Sequence, residues 1–239
     1  MLPSVAPFPG AAGTGYPPAV TEPRRRALLA TPLLAAVGPC VRGAAAADSR
    51  PRVGEVTTVT GTALAHYGPQ PPRALHPAAE ILLEDMLATD PGARLACRLA
   101  TGIELRLGGN ATLRVDSIAL RGRRPRGVAL TSLSGPLLFD RPPVAGPAAR
   151  AAAPPVSLDL PWARIGVRGT RFFAGPLDAV FAVFCARGAV RVTLPGGGRA
   201  DLAEGEGVDV PRGPAAGPAA PEVRRWGAAR IARALALVE

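Results

Sequence analysis

The sequence predicts an all-β domain of stacked short antiparallel strands, arranged as a β-sandwich, a β-roll or a solenoid-like stack, followed by a C-terminal helix. Three observations predict it. From Val53 to about Val210 apolar residues recur at every second position, not at the 3.6-residue spacing of a helix. Gly, Asn and Pro punctuate that pattern about every ten residues, as turns do in small all-β folds. Beyond a Pro/Gly/Ala stretch the pattern becomes helical at Glu222.

Val53 to Gly61 is a β-branched run that ends in glycine. Leu95, Cys97 and Leu99, then Ile103, Leu105 and Leu107, alternate with Arg98, Glu104 and Arg106. That is a hairpin, or two successive strands, with one dry and one wet face. Gly108, Gly109 and Asn110 form a turn by chemistry, because Gly and Asn tolerate positive φ. A strand starts at Thr112 and runs to Val115. The rhythm returns at Val128–Leu133, turns at Ser134 and Gly135, and resumes at Pro136–Phe139. Further strands are expected at Ala163–Val167, Ala179–Cys185, Ala189–Leu194 and around Val208, with Gly188, Gly196 to Gly198 and Gly205 between them. Pro69 to Pro77 holds four prolines and is excluded from any interior strand.

The domain plan follows. Residues 1–47 are an N-terminal stretch and leader, and 48–211 the β-domain, with 142–155 an exposed, flexible Ala/Pro loop inside it. Residues 212–221 are a linker and 222–239 the helix. Val223, Trp226, Ile231, Leu235 and Val238 lie broadly on one side of that helix, and Arg224, Arg225 and Arg233 are more polar. The expected use of the apolar side is docking on the β-domain; a partner or an anionic surface is the alternative.

Arg24, Arg25 and Arg26 precede an apolar run, Ala27 to Val37, and a small-residue stretch ends at Ala46 and Ala47. This is the order of a cleavable secretory signal, read by the twin-arginine or the Sec route, which places the mature chain in the periplasm. The apolar run is interrupted by Pro32 and is shorter than the roughly 20 residues that span a bilayer. Pro39 stands where a lipoprotein signal before Cys40 needs a small residue. Cys97 and Cys185 would then meet an oxidising compartment. Two separately buried thiols are favoured over a disulfide between them, but spacing does not decide the matter.

The formal charge is +10, all 28 basic residues are arginine, and +7 remains once residues 1–47 are removed. Such a surplus permits contact with anionic surfaces. Arg121, Arg123, Arg124 and Arg126 form a basic loop, yet no aromatic residues are interleaved with it to stack bases, so nucleic acid is not expected as a partner. His66 and His76 lack the regular His/Cys spacing of a zinc site, and neither a metal nor a cofactor is expected. No nucleophile elbow and no phosphate-binding loop is present. Glu80, Glu84 and Asp85 could flank a sugar as paired carboxylates, which keeps an exported carbohydrate-active enzyme as an alternative; solvated surface is the preferred reading. Pro195 to Gly198 reads as a hairpin turn rather than an anion cradle.

Several pieces occur together in order. They are Val53 to Gly61; Leu87, Thr89, Gly92 and Leu95; Leu99 to Leu107; Gly135; Ile165-Gly166-Val167-Arg168-Gly169-Thr170 with Phe172; Gly188 before Val190 and Val192; and Leu202 with Gly205 and Glu206. Over about residues 53–210 the chain resembles the FecR-domain family of periplasmic proteins, and the Arg168 to Phe172 segment is its most telling part. The resemblance implies a non-catalytic β-module that binds a protein in the envelope, such as an outer-membrane receptor or a membrane regulator. Arg168, Gly169, Thr170, Phe172, Gly188, Gly205 and Glu206 would mark the family structurally, as a bulge or turn. Family members of the iron-dicitrate sensor type also control a sigma factor across the membrane. This chain shows neither a long cytoplasmic N-terminal domain nor a convincing membrane helix, so membership of a sigma/anti-sigma relay remains the alternative to a stand-alone binding module.

Overall fold

The computed structural model describes residues 49–121, 124–143, 155–211 and 220–239. The leader, residues 1–47, and nearly all of the 142–155 loop and the 212–221 linker lie outside these residues.

The chain begins with β1 (Arg52–Thr60), β2 (Ala63–His66), β3 (Arg73–Ala74), β4 (Glu80–Leu82) and β5 (Met86–Thr89). The expected central hairpin forms as β6 (Arg94–Leu99) and β7 (Glu104–Leu107), in which Cys97 faces Leu105. Next come β8 (Thr112–Arg121), β9 (Arg124–Ser134), β10 (Leu137–Asp140), β11 (Val156–Leu160), β12 (Ala163–Leu177) and β13 (Val180–Thr193). β14 (Arg199–Leu202), β15 (Glu206–Val210), β16 (Val223–Arg225) and α1 (Ala228–Ala236) complete the chain.

All the strands belong to one curled sheet, which follows the order β3-β2-β5-β8-β9-β11-β12-β10-β7-β6-β1-β4, with β13 to β16 branching from β12. Among the described residues every pairing is antiparallel but one. β9 runs parallel to β11, with Leu130 facing Leu158. A parallel pair needs a crossover rather than a tight turn. β10 lies between β9 and β11 in the chain but pairs with β12 and β7, and so Gly135 turns a corner between β9 and β10 instead of closing a hairpin. The two end strands of the path, β3 and β4, are separated by only a few residues of chain. Asp85 ties them together: its carboxylate meets Arg73 of β3 at 2.5 Å and Arg50 at 2.8 Å, and accepts the Leu82 N–H of β4 at 2.9 Å.

Inside the curl, alternation builds rows of facing side chains across the strands. One buried row runs Val56, Cys97, Leu105, Phe139, Phe172, Cys185 over β1, β6, β7, β10, β12 and β13. The Phe139 and Phe172 rings stack at 5.0 Å. Burying each such ring contributes roughly 1.5–3 kcal/mol. The same register separates Cys97 from Cys185 by four strand spacings of roughly 4.8 Å each. A disulfide needs Cα atoms within about 7 Å. Cys97 and Cys185 are free, buried thiols.

Two expectations about elements are corrected. Ala179–Cys185 and Ala189–Leu194 are not separate strands but parts of β13, which passes through Gly188 without ending. The C-terminal helix does not start at Glu222. Val223–Arg225 pairs as β16 with Glu206–Val208 of β15, and the helix begins at Ala228. Val223 is therefore exposed, whereas Trp226, Ala234 and Val238 pack on Leu138, Phe173, Ala182 and Phe184. These are the outward-facing residues of β10, β12 and β13. The apolar side of the helix docks on the sheet.

Candidate functional site

Arg168 to Phe172 and Gly188 lie where the long β12–β13 ribbon changes partners. Along one edge β12 pairs first with β11, through Ala163–Val167, and then with β10, through Arg171–Ala174. On the far edge β13 pairs with β15 through Phe181–Phe184 and with β14 through Val190–Thr193. Both exchanges happen at the same level of the ribbon. There Arg168 faces Ala189 and Arg171 faces Arg187, so Gly169 and Thr170 stand opposite Gly188 alone. Two residues against one is a β-bulge, which bends the strand and increases its twist. Gly188 takes φ +88°, a conformation that L side chains rarely adopt.

The bulge is clamped from β10. The Arg141 N–H donates to Thr170 O at 3.0 Å, and Arg187 Nη2 donates to Arg141 O at 3.0 Å and to Asp140 Oδ1 at 2.6 Å. Arg171 lies 3.8 Å from the other Asp140 oxygen and donates to Glu239 Oε1 at 2.9 Å. Burial pulls the Arg141 guanidinium below its usual value. Nothing in the sequence pointed to this cluster, because Asp140 and Arg187 are 47 positions apart and look like ordinary wet-face residues.

Each expected site residue can now be located. Arg168 and Gly169 lie in the bulge, their side chains outside the described residues. Thr170 is fully buried, its hydroxyl beside the Cys185 thiol. Phe172 is in the core row. Gly205 donates its N–H to Cys185 O at 2.9 Å, and Glu206 accepts the Ala203 N–H at 2.8 Å, closing the turn between β14 and β15. Burial pushes the Cys185 thiol up to about 11 and the Cys97 thiol up to about 12. Both groups at the site that could act as nucleophiles, a hydroxyl and a thiol, are sealed and protonated at neutral pH. Among the described side chains the arrangement presents to solvent Arg171 and Arg187, each about a third exposed, with Asp140 between them.

The paired-carboxylate reading is corrected. Asp85 is not solvated surface but a buried, doubly ion-paired lock. Glu84 points elsewhere, into a shallow cleft of about 440 Å³ that it lines with His66, Tyr67, Met86, Arg114 and Asp116. The two side chains do not share a substrate. Among the described residues no group of three His, Cys, Asp or Glu is placed to hold a metal, and no helix is long and apolar enough to cross a membrane.

No protein-family model matches the chain, and no curated protein matches it. It is similar to two crystal structures of a candidate anti-sigma factor from Parabacteroides distasonis, each with a TM-score of 0.48 and 16% identity. The match spans 62% of this chain and 62% of that one, so the chain corresponds to less than two thirds of its structural neighbour.

Proposed function

We propose that this chain is an exported, FecR-like periplasmic β-domain that binds a protein partner in the envelope without catalysing a reaction, as a component of signal transduction. The observation that carries the reading is the use made of the FecR-like residues. They build the branch point of the sheet, their hydroxyl and thiol neighbours are sealed, and a pair of guanidiniums remains at the surface. Guanidiniums in a fixed arrangement suit carboxylate-bearing partners. The partner is an outer-membrane receptor or a membrane regulator, and the remaining arginine surplus adds contact with anionic surfaces. Export runs through the leader ending near Ala46 and Ala47, by the twin-arginine or the Sec route.

A pull-down from envelope extract with the chain from Asp48, at low and at raised salt, tests this. Recovery of one protein that survives the salt is the expected result. Recovery of only acidic polymers or lipids that salt releases would sink the specific-partner reading.

A further inference from the structure

The C-terminal helix, though built mostly of good helix formers, is short and poorly ended at its start. It has only nine residues, fewer than an isolated helix needs in water. Gly227 at its N-cap provides no side-chain cap, and no acidic residue stands in its first turn. Arg230 stands there instead, against the positive end of the helix dipole. What holds the helix is its seat. Trp226 stacks on Phe184 at 4.8 Å and fits against Gly207, where a Cβ would lie 2.2 Å from the indole nitrogen. Ala234 and Val238 cover the remaining outward-facing apolar side chains of β10, β12 and β13.

The seat is also charge-coded end to end. Asp209 pairs with Arg230, and Asp178 with Arg233 at 2.8 Å. At the other end Arg171 and Arg106 meet the Glu239 carboxylate at 2.9 and 3.8 Å, and Arg94 donates to Ala236 O at 3.2 Å. These pairs lie at the surface and hold weakly. A seat floored by Phe173 and Phe184, with acids at one end and bases at the other, is thus filled by a short helix that lacks a side-chain N-cap and depends on that seat. Elements of that kind sit at the low end of a protein's stability range.

We propose that α1 is an exchangeable occupant of this groove, and that the groove receives an amphipathic helix of a partner protein carrying the same code: an aromatic anchor, basic residues in its first turns and a carboxylate at its far end. Helix-in-groove recognition of this type reads anchors along one helical face. The inference is independent of where in the cell the partner resides.

The test uses the full chain and a labelled peptide of residues 220–239 as the probe. Native hydrogen exchange should show the α1 amides exchanging roughly 100-fold faster than those of β12 and β13. The peptide should bind the Trp226→Ala chain roughly ten-fold more tightly than wild type, in which the resident helix competes. Asp178→Arg added to that chain should weaken binding several-fold, and an Arg233→Asp peptide should restore it. Equal protection of α1 and β12 overturns the proposal. So does a peptide that fails to bind a Trp226→Ala chain whose circular dichroism shows the sheet intact. Should Trp226→Ala unfold the chain, Arg230→Ala with Arg233→Ala, both on the helix surface, gives the same comparison.

Discussion

Gly188 takes φ +88° opposite the two residues of the bulge, so a β-branched side chain there would be strained. Gly188→Val should cost about 1–3 kcal/mol, read from urea melts, with the loss centred on the β12–β13 ribbon. The cysteines give a second expectation at this scale. Burial raises both thiols, to about 12 for Cys97 and about 11 for Cys185. The folded chain from Asp48 should not react with a thiol reagent at pH 8, and both thiols should appear on unfolding; a disulfide would yield neither. The family resemblance, rather than any local preference, marks Gly188 and Arg168 to Phe172 as a structural unit. Asp140, Arg141 and Arg187 left no mark, since the contacts that make them a clamp join strands far apart in the chain.

Elements were legible wherever alternation was uninterrupted. The β6–β7 hairpin and the turn at Asn110 needed only periodicity and Gly/Asn chemistry. β13 was read as two strands because Gly188 resembles a turn, and only the paired bulge in β12 shows that the strand continues. β16 was hidden in the helix because Val223, Arg224 and Arg225 have no strong preference of their own; pairing with β15 decides for them. The docking of α1 carries a pH expectation. Arg233 beside Asp178 holds that carboxyl below its usual value. A carboxylate depressed in the folded state adds stability above its unfolded value, and loses it as pH falls through the folded one. Acidification below the usual carboxylate range should therefore loosen the helix, seen as a change in Trp226 fluorescence, and Asp178→Asn should loosen it at neutral pH.

At the scale of the molecule, the all-β class followed from composition and period, but the curl did not. Closure depends on Asp85, which looks in sequence like one more acid beside Glu84. It is instead completely buried, joining Arg73 and the Leu82 N–H from the two ends of the rolled sheet. Asp85→Ala would take the buried carboxylate away from Arg50, whose side chain is only 12% exposed, and from Arg73 and the Leu82 N–H, and should cost about 3 kcal/mol in global stability by denaturant melts. The parallel β9–β11 pair was equally out of reach, because its crossover passes through residues with no periodic pattern. The most direct measurement of the binding account is photo-crosslinking in intact cells. A photoreactive residue would replace exposed Ala189, beside the Arg171 and Arg187 pair, and in a control exposed Thr57 on β1. The account predicts one discrete envelope-protein adduct from position 189 and none from position 57. No adduct at 189, or the same products from both positions, would contradict it.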